Sequence, residues 1–135
     1  MAGRGKPIDA GLVMRPAHYP GRAPVDTYGN GGFRFAEMSH KGSILCLPSG
    51  IYGWAAVTPQ DFNIGIFQRV FDESGLELLL VGTGQDLVPL PVDLLDHLSE
   101  KGIRADSMST GAAARTFNVL LAEGRSVGAA LLAVA

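Results

Sequence analysis

Leu76-Glu77-Leu78-Leu79-Leu80-Val81 is an almost unbroken apolar run, ended by Gly82-Thr83-Gly84-Gln85-Asp86. A run of this length without polar alternation is what a strand covered on both faces requires. The segments that follow it decide the fold class. Pro91 to Lys101 sets Leu94, Leu95 and Leu98 at helical spacing and stops at Gly102, a residue that tolerates the left-handed backbone of a helix end. Ile103-Arg104-Ala105-Asp106 predicts a short strand. Gly111 to Glu123 is helical, with Ala113, Phe117, Leu120 and Leu121 on one face and Gly124 as the stop. Val127 to Val134 predicts a last buried strand. Strand, helix, strand, helix, strand with short joints requires at least one parallel crossover, right-handed by the usual rule. The C-terminal part is therefore a βαβαβ unit of α/β class.

The preceding part reads differently. Val25-Asp26-Thr27-Tyr28 and Phe33-Arg34-Phe35-Ala36 alternate and are joined by Gly29-Asn30-Gly31-Gly32. Asn-Gly between alternating runs predicts a hairpin, because a primed turn needs positive φ that these residues adopt at little cost. Ser43 to Leu47 and Ile51 to Ala55 predict two further strands, parted by Pro48-Ser49-Gly50. Thr58-Pro59-Gln60-Asp61 has the form of a helix start. Phe62, Ile66 and Val70 then recur on one helical face, but Gly65 interrupts them, so the segment reads either as a helix or as one short turn plus irregular chain. The expectation is an antiparallel front half and an α/β back half sharing one sheet. No internal repeat is visible.

Length and composition bound the rest. A chain of 135 residues with 47% hydrophobic and 18% charged residues is one folded domain rather than a disordered chain. Its formal charge of −2 gives no basic footprint for nucleic acid. Residues 1–24 hold Arg4, Lys6, Arg15 and Arg22 against Asp9, a local +3 that leaves −5 for the remainder. With Pro7, Pro16, Pro20 and Pro24 they read as an extended basic arm, and residues 25–135 as the domain. No apolar h-region follows Met1, and Gly and Pro argue against the amphipathic helix of an organelle leader. The run from Val127 is too short for a transmembrane segment. The single cysteine, Cys46, excludes a disulfide framework and fits a reducing cytoplasm.

Most motifs of known chemistry are absent. Gly82-Thr83-Gly84 lacks the third glycine of a dinucleotide fingerprint, since Leu87 stands there, and Val88-Pro89-Leu90-Pro91 follows instead of a helix. His18, His40 and His97 lack metal-ligand spacing, so no metal is expected. Ser109 is not in a nucleophile elbow. Cys46, between Leu45 and Leu47, reads as a core residue rather than a reactive thiol. No cofactor and no catalytic residue is assigned.

One constellation remains. If the strands at 76–81 and 103–106 are parallel neighbours, the loops after them emerge on the same carboxyl edge, where open α/β sheets bind ligands. The second loop opens a helix whose first turn, Gly111-Ala112-Ala113-Ala114, has no acid and precedes Arg115. In one reading Gly82, Thr83, Gly84, Ser109, Thr110, Gly111, Arg115 and Asn118 form a pocket for a small anion. Tyr52 and Trp54 are candidates for its wall. In the other, Arg115 pairs with Asp86 or Asp106, and Ser109 or Thr110 is only the helix cap. A helix dipole supplies at most about 2 kcal/mol, whereas micromolar binding needs about 8, so such a pocket depends on Arg115.

The stretches Tyr28 to Phe35, Ser49 to Trp54, Leu80 to Gly84 and Met108-Ser109-Thr110-Gly111-Ala112-Ala113-Ala114-Arg115-Thr116-Phe117-Asn118 resemble a known family. It is the single-domain family of unknown function that includes the mitochondrial complex I (NADH:ubiquinone oxidoreductase) assembly factor number three, and this chain looks like a bacterial member. The resemblance implies a three-layer α/β domain with a central mixed sheet and a β-rich addition. It also implies protein partners, as for an assembly factor of a respiratory or other multisubunit complex, without an established reaction. Two functions follow: a non-enzymatic interaction protein, or an anion-binding protein or enzyme using the carboxyl-edge crevice.

Overall fold

The computed structural model describes residues 18–135. Among these residues nine strands form two sheets. The larger has six strands in the order β1 (His18–Tyr19), β6 (Gly50–Trp54), β5 (Ser43–Leu47), β9 (Val127–Leu131), β7 (Leu78–Gly82) and β8 (Arg104–Met108). The smaller is the antiparallel meander β2 (Val25–Gly29), β3 (Gly32–Phe35) and β4 (Met38–Lys41). In the larger sheet β1, β6, β5 and β9 are antiparallel, while β7 runs parallel to both β8 and β9. The domain is thus α/β with a mixed central sheet, as expected.

The βαβαβ reading holds in detail. Helix α2 (Val92–Glu100) connects β7 to β8, and α3 (Thr110–Ala122) connects β8 to β9. β8 and β9 flank β7 on opposite sides, so the second crossover reverses direction. Reversal at constant handedness carries the two helices to opposite faces of the sheet. Leu94 and Leu98 of α2 accordingly enter one core, with Leu79, Val81 and Ala130. Ala113, Ala114 and Phe117 of α3 enter the other, with Leu80, Ala129 and Leu131. Phe33 and Phe35 from the meander join this second core. Both helices close as the glycines predicted: Gly102 and Gly124 have φ of 77° and 76°. The amides of Ile103 and Arg125 reach back to Leu98 and Leu120.

Two expectations need correction. The hairpin is not part of the central sheet; a third strand, β4, completes it as a separate layer element beside α3. Its Asn30-Gly31 turn has the predicted positive φ at both residues, but the next turn uses Ala36 (φ 47°) and Glu37 (φ 62°), residues that carry no turn signal. Second, the arm expected over 1–24 does not extend to residue 24. His18 and Tyr19 pair with Tyr52 and Ile51, Ala23 is buried, and Arg22 donates to the Arg125 carbonyl. Residues 1–17 lie outside the described residues. The segment after Thr58 is not a continuous helix, in line with the reading of short turns plus irregular chain. It consists of 3-10 turns at Pro59–Asp61 and Gly65–Phe67 and one helical turn, α1 (Gln68–Phe71). Asp61 ends the first turn's search for partners by accepting from the amides of Val57 and Thr58.

That irregular segment is held by aromatic packing. Phe67 is fully buried, edge-on to both Trp54 (5.2 Å) and Phe62 (5.4 Å). The Trp54 indole donates to the Ile66 carbonyl at 2.7 Å. Truncating Phe67 to Ala removes the ring that these contacts share and should cost about 3–5 kcal/mol. Equilibrium denaturant unfolding checks this, and a loss below about 1 kcal/mol would show that the segment does not depend on the ring.

Candidate functional site

The geometry of the carboxyl edge starts from the parallel pair β7–β8. Their following loops do lie side by side, because the register sets Gly82 opposite Met108. The chain leaves β7 toward α2 on one face and β8 toward α3 on the other. This is the arrangement that opens a ligand crevice in α/β sheets.

Here the crevice is filled by its own polar groups. Thr83 is 3% exposed and Thr110 fully buried. The Thr83 amide donates to the Met108 carbonyl at 2.9 Å, and the Thr110 amide to the Gly84 carbonyl at 2.8 Å. The Thr110 hydroxyl donates to the Leu132 carbonyl at 2.8 Å and accepts from the Gly84 amide at 3.1 Å. The Thr83 hydroxyl lies 2.6 Å from the Asp86 carbonyl and accepts from the Val88 amide at 2.9 Å. The two hydroxyls therefore stitch three chain segments together. Gly82 makes the approach possible: a Cβ there would stand 2.8 Å from the Thr110 Cα.

The start of α3 is similarly engaged. Ser109 is the N-cap, accepting from the Ala112 amide at 3.3 Å, so the capping role expected for Ser109 or Thr110 falls to Ser109. The Tyr28 phenol packs over Gly111, where an added Cβ would push the ring aside. The Arg115 guanidinium, exposed, donates to the Tyr28 hydroxyl at 3.2 Å. The expected pairing of Arg115 with Asp86 or Asp106 does not occur; Asp106 instead pairs with Arg104 at 3.2 Å. Helical geometry explains this, since Arg115 points from α3 toward the meander. Asn118 lies one turn further on that side, and its amide bonds both the N–H and the C=O of Val25 at 2.8 Å. It meets the outer side of β2 at Val25 as a neighbouring strand would.

The predicted residues thus divide into two groups. Gly82, Thr83, Gly84, Ser109 and Thr110 meet at the loop junction, with Gly111 at its margin. Arg115 and Asn118 face β2 instead, where they line a shallow hollow of about 320 Å³ with Asp26 and Tyr28. Trp54 belongs to the core on the opposite face of the sheet, and Tyr52 lies under the Arg69 guanidinium at 4.0 Å. Neither walls the crevice. The role of Tyr28 was missed in the sequence, where it read only as a hairpin residue; its spacing from the helix carries no local signal.

Cys46 sits fully enclosed in β5, and burial pushes its thiol up to about 12. It should be inert to thiol reagents until the protein unfolds. Reaction of the native protein at the rate of a free thiol would contradict that burial. At the junction, Thr110→Val keeps the shape and deletes the hydroxyl, leaving the Gly84 amide and the Leu132 carbonyl unpaired. The expected loss is about 2–4 kcal/mol in denaturant unfolding, with Thr110→Ser close to wild type. Equal stability of wild type and Thr110→Val would remove the junction from the account.

A family model described as a protein of unknown function (DUF498/DUF598) matches residues 25–132. An uncharacterized protein of Rhodobacter capsulatus is 38% identical over 121 residues, covering 90% of this chain and 93% of that protein. The mouse protein named NADH dehydrogenase [ubiquinone] 1 alpha subcomplex assembly factor 3 is 30% identical over 122 residues. That alignment covers 90% of this chain but only 66% of the mouse protein. Among solved structures, one described as an outer membrane protein from Bartonella henselae superposes with a TM-score of 0.83 at 58% identity, over 87% of this chain and 99% of that one. Among the described residues, no helix of this chain is long and apolar enough to cross a membrane.

Proposed function

The chain belongs to the family of unknown function DUF498/DUF598, and from that membership we propose that it is a non-enzymatic interaction protein that assists assembly of a respiratory multisubunit complex. The observation that carries this reading is the similarity to a complex I assembly factor over 90% of the chain. The similarity spans 90% of the chain, as expected when the domain itself is the working unit. The carboxyl-edge crevice supports the reading from another side. Its hydroxyls and most of its amides are engaged with one another, so binding chemistry there would first have to break internal bonds. A protein partner needs none of this; it needs surface, which the meander, α2 and α3 supply.

The partners in this reading are subunits or fellow assembly proteins met in the cytoplasm. The buried, unpaired Cys46 suits that reducing compartment. The test uses a host that carries NADH:ubiquinone oxidoreductase. Deleting the gene should reduce the amount of fully assembled enzyme on native gels, and the tagged chain should co-purify with subunits of its partly assembled forms. Unchanged enzyme in the deletion strain, together with no enzyme subunit recovered by the tagged chain, would overturn the proposal.

A further inference from the structure

The outer edges of the two sheets are finished in different ways. Among the described residues β1 has two residues, and short edges resist pairing. On the outer side of β2, the Asn118 amide takes the N–H and C=O of Val25. β4 has four residues and exposes Lys41 and Ser39. Among the described residues, β8 has five residues and no strand beyond it in the sheet order.

We propose that β8 is a self-pairing edge through which two copies of this chain join in one continuous sheet. The direction of its backbone groups follows from the bonds to β7. The Arg104 amide donates to the Glu77 carbonyl at 3.0 Å, and the Met108 carbonyl accepts from Thr83 at 2.9 Å. In a parallel ladder alternate residues face the neighbour. Arg104, Asp106 and Met108 are therefore turned to β7, whereas Ala105 and Ser107 present their N–H and C=O groups outward. The Ile103 amide is already engaged with Leu98, which leaves its carbonyl as the acceptor beside Ala105.

A two-fold axis beside Ala105 uses these groups fully. Each Ala105 then exchanges both backbone bonds with its counterpart, and each Ser107 amide meets the Ile103 carbonyl of the second copy. The flanking positions become non-hydrogen-bonded pairs, in which facing side chains come closest. Those pairs are Arg104 with Asp106 of the second copy, twice over by symmetry. The intramolecular pair of Arg104 and Asp106, both solvent-accessible at 77% and 42%, shows that the two side chains already share one face. Moving the axis to Ser107 also pairs outward backbone groups, but it sets Asp106 against Met108 and loses the complementarity. Charge thus selects the register.

The surface beside the edge fits the same occupant. Two shallow grooves of about 420 and 530 Å³ run along β8 on the side of α2, and Leu95 and Ala105 line both. Val92 stands 72% exposed on α2. A second copy arriving along β8 brings its own α2 over these apolar residues.

The test is the mass of the full chain in solution, by light scattering or sedimentation equilibrium across a wide concentration range. The expected value is twice 14.2 kDa. Ala105→Pro deletes an amide that faces away from β7, so the fold should survive, as circular dichroism will show, while the dimer is lost. Arg104→Asp alone and Asp106→Arg alone should each weaken association about tenfold or more, and Arg104→Asp with Asp106→Arg together should restore it. If Ala105→Pro fails to fold, the charge exchange decides. A wild-type monomer at every concentration would overturn the proposal, as would a dimer insensitive to both the proline and the single charge changes.

Discussion

Strand β9 has to fit between β5 and β7, and the architecture depends on that insertion. It pairs antiparallel with β5, setting Ile44 opposite Leu131, and parallel with β7, setting Leu80 opposite Ala129. It is the one strand that joins the antiparallel front half to the βαβαβ unit. All five of its residues are buried, because α3 and the meander cover one face of the sheet while α1 and α2 cover the other. The sequence Gly128-Ala129-Ala130 follows from this crowding. A Cβ on Gly128 would come within 3.1 Å of the Cys46 carbonyl and of a Leu76 methyl. Side chains small enough to fit leave the apolar burial to Leu79, Val81, Leu94, Leu98 and Phe117 above and below them, each contributing about 1.5–3 kcal/mol.

The insertion also determines what the carboxyl edge can be. Just past β9, the Leu132 amide donates to the Gly82 carbonyl, and the Leu132 carbonyl accepts from the Thr110 hydroxyl. The end of one strand thereby draws the two neighbouring loops together. An α/β crevice that in other sheets is open to ligands becomes a structural joint, in which both buried threonine hydroxyls have partners. Arg115, the cation that could have given the place charge, is instead extended along α3 toward Tyr28. Fold and surface then carry different duties: the joint holds β7, β8 and α3 in register, and the exposed strands and helices remain for other molecules.

Much of this was legible in the sequence, for identifiable reasons. Both long helices announced themselves by spaced leucines or alanines and a terminal glycine, and the buried strands by unbroken apolar runs, since these signals are local. The Asn30-Gly31 turn was local too. β4 was missed because its turn is made by Ala36 and Glu37 at positive φ, a conformation costing about 1–2 kcal/mol per residue that only the surrounding sheet enforces. β1 was missed because two residues amid Pro and Gly have no periodicity of their own. At the candidate site, the meeting of the two loops could be derived from strand order. The partners of Thr83, Thr110, Arg115 and Asn118 could not, because each lies on a segment distant in sequence. The orientation of Asn118 toward Val25, 93 residues away, is a property of the packed layers alone.

Hydrogen exchange at the amides of Ala129, Ala130 and Leu131 tests most directly whether β9 is the strand that holds the halves together. If it is, these amides open only when the whole domain unfolds. Their exchange free energy then equals the global stability from denaturant unfolding and is at least that of the amides of α2. Exchange through a local opening, at a free energy well below the global value, would contradict the account and leave the two halves of the sheet separately stable.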